Sequence, residues 1–318
     1  MLEVINLALP FFGLVLVGYL AGVFKRLPDA GLAWMNFFIF YVSLPAMMFR
    51  MLAATPFDEL IRPPFIAATT LSTFLAFAIS FVVAMVVRRG HIAESAIAGL
   101  AGGYGNIGYM GPPLAVATLG AAAGGPAALI FCFDQFLLFS LVPILMGLAG
   151  RDQKGALATV AEVVRRIVTH PLLVASAVGI AGAAFRFEAP QALDRILGLL
   201  QNAAAPCALF ALGVTVALRP LDRMPWEVPL LLAIKLILHP VIALACLAAL
   251  GPFDPLWFGT AVLMAALPPA LNVYVFATQY QVWVSQSSSS IMFGTLVSVV
   301  TLTTAMWLVK TGNLPFMP

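Results

Sequence analysis

Gly102-Gly103-Tyr104-Gly105-Asn106-Ile107-Gly108-Tyr109-Met110-Gly111-Pro112-Pro113 interrupts one long apolar segment of this chain. Leu267-Pro268-Pro269-Ala270-Leu271-Asn272 interrupts another, at the matching place in the second half. A membrane helix satisfies its backbone N–H and C=O groups internally, because lipid offers them no partners. A broken one exposes those groups and is tolerated only against protein or a wet cavity, where it serves as an ion or substrate site. Glycines allow close backbone approach, prolines remove donors and block helical bonds, and Asn106 can both donate and accept. The paired breaks point to a secondary transporter with Gly105, Asn106, Gly108, Pro113, Pro268, Pro269 and Asn272 at its substrate site.

The composition agrees. Of 318 residues, 62% are hydrophobic and 9% charged, and the mean hydropathy of +1.04 excludes an ordinary soluble domain. Ten spans are expected, at roughly 3–24, 31–51, 64–87, 93–119, 124–149, 170–187, 196–218, 227–250, 255–279 and 286–310, each near the roughly 20 residues that cross a bilayer. The first is not a cleavable signal: it follows Glu3, and Lys25-Arg26 come after it. Cys132, Cys207 and Cys246 lie within spans, without metal-ligand spacing or a disulfide framework.

Basic residues set the expected orientation. Lys25, Arg26, Arg88, Arg89, Arg151, Lys154, Arg165, Arg166, Arg219 and Arg223 fall on one side; Arg50, Arg62, Arg186, Arg195 and Lys310 fall on the other. The richer side is expected to be cytoplasmic, which puts both termini outside a cell inner membrane. These charges are scattered over loops, so nucleic acid is not an expected partner.

The chain also repeats itself. Pro10 to Pro45 spans 35 residues, as does Pro171 to Pro206, and each opening proline is followed eight residues later by a glycine, Gly18 or Gly179. Five spans per repeat is an odd number, so the second copy must be inverted. The expected fold is therefore all-α, with two inverted five-helix repeats at 1–149 and 170–318 and two broken crossover helices. Segment 150–169 is expected as an amphipathic linker, with Val160, Val163, Val164 and Ile167 on one helical face.

Ionisable groups inside spans are few. Asp134 stands in span 5 beside Gln135; Lys235 and His239 stand four apart in span 8, on one helix face. Buried charges in a membrane mark pathways, proton relays or ion pairs. Lys235 could bind a substrate carboxylate, pair with Asp134, or snorkel to the surface. Asp134, Gln135 and His239 are candidates for coupling to H⁺ or Na⁺, or for an ion pair. Gln286 to Ser290 opens span 10 and reads mainly as a helix cap. Gly18 and Gly22 read as ordinary helix packing.

The Gly103 to Gly108 run matches a dinucleotide pattern, but no strand precedes it and it lies mid-membrane. Metalloprotease, serine-hydrolase and P-loop motifs are absent. Neither an enzyme nor a cofactor is expected, and no metal site.

Several further runs occur in a fixed order. Asn106 is followed by Gly111-Pro112-Pro113-Leu114, then His170-Pro171 with Ala184-Phe185-Arg186. Next come Phe210-Ala211-Leu212-Gly213 with Ala217-Leu218-Arg219-Pro220, then Leu267-Pro268, Val275-Phe276-Ala277 with Tyr280, and Phe293-Gly294. In this order and spacing the chain resembles the auxin efflux carrier family, which includes plant auxin exporters and bacterial carriers often assigned to malonate. The resemblance implies a crossover fold like that of bile-acid symporters and sodium/proton antiporters. It implies a transport domain of spans 3–5 and 8–10, a scaffold of spans 1, 2, 6 and 7, and a homodimer. It further implies that Asn106 binds a substrate carboxylate, that Pro268 marks the second break, and that Lys235 matches a basic position. Gly105 replaces a plant proline, and Thr69 stands where plant members carry an acid.

The expected function is a secondary carrier of a small organic anion, a mono- or dicarboxylate, by alternating access. Helix N-termini at the breaks would attract the anion. The alternatives are a sodium-coupled symporter and a membrane-embedded enzyme or sensor.

Overall fold

The computed structural model describes residues 2–25, 29–151, 156–218 and 225–316. Arg26, Lys154, Arg219 and Arg223, counted above for orientation, lie outside the described residues, as does part of the 150–169 linker. The described chain is helical, with one isolated two-residue bridge and no strand. In order the helices are α1 (Leu2–Lys25), α2 (Asp29–Phe38), α3 (Leu44–Ala53), α4 (Phe57–Leu60), α5 (Pro63–Val87), α6 (Ile92–Gly103), α7 (Gly111–Leu119) and α8 (Gly124–Leu148). They continue with α9 (Ala156–Val168), α10 (Pro171–Ala184), α11 (Gln191–Ala217), α12 (Val228–Ala233), α13 (His239–Leu250), α14 (Pro255–Ala265), α15 (Leu271–Tyr280) and α16 (Val284–Thr311).

Among the described residues, seven helical segments are long and apolar enough to cross a bilayer, and α9 with α10 would make an eighth. Both glycine–proline clusters break their helices as expected. The segment at 93–119 becomes α6 and α7, and the one at 255–279 becomes α14 and α15. Proline also reshapes two continuous spans. A proline ring collides with the carbonyl four residues earlier. In both cases the helix widens to a π turn just before the clash: Ile39–Ser43 precedes Pro45, and Ile234–Leu238 precedes Pro240. Such turns are rare and concentrate at functional sites.

The chain forms two compact units. The first comprises residues 1–62, 108–129 and 169–220, hence α1–α4, α7, α10, α11 and the start of α8. Its helices approach closely at small residues, the main source of helix association in lipid. A Cβ on Gly18 would stand 2.1 Å from the Phe210 carbonyl oxygen, and one on Gly213 would stand 2.0 Å from that of Val15. Glycine is obligatory at both places, because backbone occupies the space a side chain would need. Arg50 braces the same unit, with bonds of 2.9 Å to Gln201 and to Asp194.

The second unit comprises residues 63–107, 130–168 and 221–318, hence α5, α6, most of α8, α9 and α12–α16. It holds both halves of the second break and the first half of the first. At one end Arg88 pairs with Glu227 and lies 3.4 Å from Glu94, tying α5 to the starts of α12 and α6.

The serine-rich opening of α16 does not cap it. Trp283 occupies the cap position in a left-handed conformation without a side-chain cap bond. Ser287 and Ser290 are buried and donate to the carbonyls of Val284 and Ser287. The helix starts at Val284, three residues before the serine run begins at Ser287, so these hydroxyls fall inside it and bond back to its own carbonyls.

Candidate functional site: two paired breaks around a buried lysine

The two breaks cross and pair. Gly105 lies opposite Pro269 in an antiparallel bridge. The Asn106 N–H donates to the Pro268 carbonyl at 2.8 Å, and the Ala270 N–H to the Tyr104 carbonyl at 3.3 Å. The pairing answers the accounting problem that broken helices create. Pro268 and Pro269 have no N–H to satisfy, and the carbonyl of Pro268 and the donor of Asn106 satisfy each other. Pro268, Pro269 and Asn106 are all buried, with Asn106 only 4% exposed.

Lys235 reaches this crossing from the π turn. It is 0% exposed. Its Nζ donates to the Ala265 carbonyl at 2.7 Å and lies 2.9 Å from His239 Nδ1. Ala265 closes α14, so the ammonium sits at the negative end of that helix dipole. A Cβ on Gly105 would stand 3.2 Å from Nζ, so the glycine lets the ammonium lie against the break. The snorkelling reading of Lys235 is thereby corrected: its head binds protein deep inside the unit. Direct pairing with Asp134 is corrected too. The two charges are near enough to interact, but no ion pair joins them among the described residues. Once Lys235 had bonded the end of α14, Asp134 was left to another partner.

That partner is Thr73, whose hydroxyl donates to Asp134 Oδ2 at 2.9 Å. Asp134 is 3% exposed and its Oδ1 has no hydrogen-bond partner among the described residues. Gln135, next along α8, accepts a short bond from the Tyr104 hydroxyl, so Tyr104 ties α8 to the first break. Asn272, in the first turn of α15, stands near the same hydroxyl.

The residues Gly105, Asn106, Pro268, Pro269, Asn272, Lys235, His239, Asp134 and Gln135 therefore converge within the second unit. Gly108 and Pro113 fall in the first unit. Sequence reasoning missed Tyr104, Thr73 and their neighbours Thr69 and Ser72. A signal was present: Thr69, Ser72 and Thr73 recur at helical spacing on a largely apolar span. Tyr104 carried no such pattern, because its role depends on which helix lies opposite.

Comparison with known proteins identifies the family. Residues 3–307 match the family described as "Membrane transport protein". The chain belongs to that family. It is also 44% identical to "Putative malonate transporter" of Rhizobium meliloti (strain 1021), over 99% of this chain and 98% of that one. An "Uncharacterized transporter" of Methanothermobacter thermautotrophicus is 26% identical over 91% of this chain and 93% of its own length. Auxin efflux carrier component 7 of Arabidopsis thaliana is a distant relative, 27% identical over 42% of this chain and 23% of its own. As a member of the membrane transport protein family the chain is a multi-pass transporter and not an enzyme, and the auxin efflux carrier resemblance holds.

Proposed function

We propose that this transporter is a secondary carrier of a small organic anion, with malonate the first substrate to test, and that the anion binds where the two breaks pair. One observation carries the reading. The bond from Asn106 N–H to the Pro268 carbonyl gathers an amide side chain, the N-terminal turn of α15 and, through Gly105, a fully buried ammonium. Each favours a carboxylate: the amide as donor, the helix start through its free N–H groups and dipole, the ammonium by charge. The name of the Rhizobium relative supports malonate within that class.

The transport reading extends to the fold. α10 and the two broken spans bring the seven long segments to ten, in two inverted halves, 1–149 and 170–318, joined by the 150–169 linker. α1 packs on α11 and α3 on α10, the pairings that exchanging the halves would interconvert. Each compact unit draws on both halves. This supports the first as a scaffold and the second as the transport body of an alternating-access carrier, and the family resemblance supports a homodimer.

Malonate counterflow in proteoliposomes tests the function. No exchange of malonate or of related mono- and dicarboxylates would sink it, and uptake that requires sodium would favour the sodium-coupled alternative. Asn106→Ala is expected to raise the malonate concentration for half-maximal uptake about tenfold or more, the cost of one hydrogen bond to a charged ligand at roughly 1.5–3 kcal/mol. Unchanged kinetics in a well-expressed variant would remove Asn106 from the site. For orientation, a reporter fused to the C-terminal end should be active only outside the cytoplasm; cytoplasmic activity would overturn the charge-based topology.

A further inference from the structure

Behind the paired breaks lies a small cavity lined by Thr69, Ser72, Thr73, Gly105, Ile107, Ile130, Asp134, His239, Ala261, Met264 and Ala265, with room of about 10 Å³ for a water's centre. That is the space of about one water. Two of its wall residues carry an unsatisfied buried atom: Asp134 Oδ1 and His239 Nε2. Leaving such atoms unpaired in the interior is costly.

Their chemistry is complementary. An ammonium only donates, so the Lys235 contact makes His239 Nδ1 an acceptor and places the ring proton on Nε2. Of the two wall residues, His239 therefore offers a lone donor, Nε2–H, and Asp134 a lone acceptor, Oδ1, which one water in the chamber is suited to bridge.

We infer that Asp134 and His239 form a one-proton site that couples anion movement to proton movement. The inference rests on the carrier reading above. The charged and titratable groups facing Asp134 are few: Lys235 and His239 from the π turn and α13, and Tyr104 from the first break. From α5 come only hydroxyls, and from α14 only Ala261, Met264 and Ala265. With Asp134 ionised, the carboxylate and the Lys235 ammonium cancel. A proton arriving through the water forms the O–H bond on Oδ1 and turns the carboxylate into a neutral acid. The chamber then carries one net positive charge, which an incoming carboxylate offsets. Loss of that proton on the other side restores the carboxylate and weakens the hold on the anion. The Lys235 ammonium, held against His239, disfavours a metal cation beside it, which favours a proton as the coupling ion.

Two measurements test this. The first needs no substrate: infrared titration of the reconstituted protein. A buried carboxylic-acid band should grow as pH falls, vanish in Asp134→Asn, and shift in His239→Gln. A titration indifferent to Asp134→Asn overturns the proposal. The second drives malonate accumulation with an inward proton gradient in sodium-free proteoliposomes. Asp134→Asn should lower gradient-driven accumulation at least about tenfold and flatten the pH dependence of malonate exchange, whatever its absolute rate, with His239→Gln shifting that pH dependence. Exchange that keeps the wild-type pH profile in both variants would mean a structural role and overturn the coupling. Accumulation that follows a sodium gradient overturns it in favour of sodium. A wild type that shows the Asp134 band but exchanges no malonate instead removes the malonate reading and supports the proton site.

Discussion

Lys235→Gln is expected to lower malonate uptake by about 100-fold or more, measured as initial rate per amount of reconstituted protein. In free energy that is roughly 2.7 kcal/mol. The ammonium holds the end of α14 through the Ala265 carbonyl, holds His239 in one tautomer, and lies against Gly105 at the first break. A glutamine amide is shorter and neutral. It leaves buried acceptors poorly satisfied, at about 1–3 kcal/mol each. It also removes the nearby positive charge that offsets Asp134.

Lys235→Arg should retain more activity than Lys235→Gln because it keeps the charge. It should not reach wild type, since Gly105 and Leu267 leave little room for a guanidinium: Nζ and Cε already lie 3.2 and 3.3 Å from where a side chain on Gly105 would begin. The double variant Asp134→Asn with Lys235→Gln separates two roles. If Lys235 only balanced Asp134, the double variant would recover much of the activity. With no ion pair between them, it is expected to stay inactive. Near-normal uptake by Lys235→Gln would remove the charge from the anion site altogether.

Gly213→Val is expected to prevent assembly of the first unit, with little or no monodisperse protein recovered after solubilisation. The Cβ it adds would stand 2.0 Å from the Val15 carbonyl oxygen and 2.7 Å from the Tyr19 backbone nitrogen. Both obstacles are backbone on α1, and a helix cannot move one turn aside without losing its other contacts. Overpacking by flexible side chains usually costs about 1–3 kcal/mol; a backbone clash exceeds that range. Gly18→Val should fail likewise against the Phe210 carbonyl. Gly13→Ala, on the same helix but with open space around it, is the matched control and should express normally. Recovery of folded Gly213→Val at wild-type levels would mean that α1 and α11 do not cross at these glycines.

Much of this was legible in the residues. Clustered prolines and glycines disfavour a continuous helix, so the breaks at 104–110 and 266–270 were legible in the chain, whereas the lone Pro10, Pro143 and Pro206 sit inside continuous helices. The Gly18 and Gly22 spacing announced a helix contact for the same local reason. Charge inside a span is costly wherever it lies, so Asp134, Lys235 and His239 were found by their rarity. The serine run was misread, because a cap depends on where the helix begins, and Trp283 set that start upstream of the serines.

The sequence by itself determined that the chain is a helical membrane protein, where its helices break, and which few polar residues they bury. Those properties depend on hydropathy and backbone chemistry within about a turn of each residue. Only the tertiary structure decided that Gly105 meets Pro269, that Lys235 binds the end of α14 rather than Asp134, and that Tyr104 and Thr73 complete the cluster. Each of these contacts joins residues from different helices, and a helical period states which face a residue lies on without stating which neighbour covers it. In lipid, where apolar faces are nearly equivalent, that choice falls to close packing and buried hydrogen bonds.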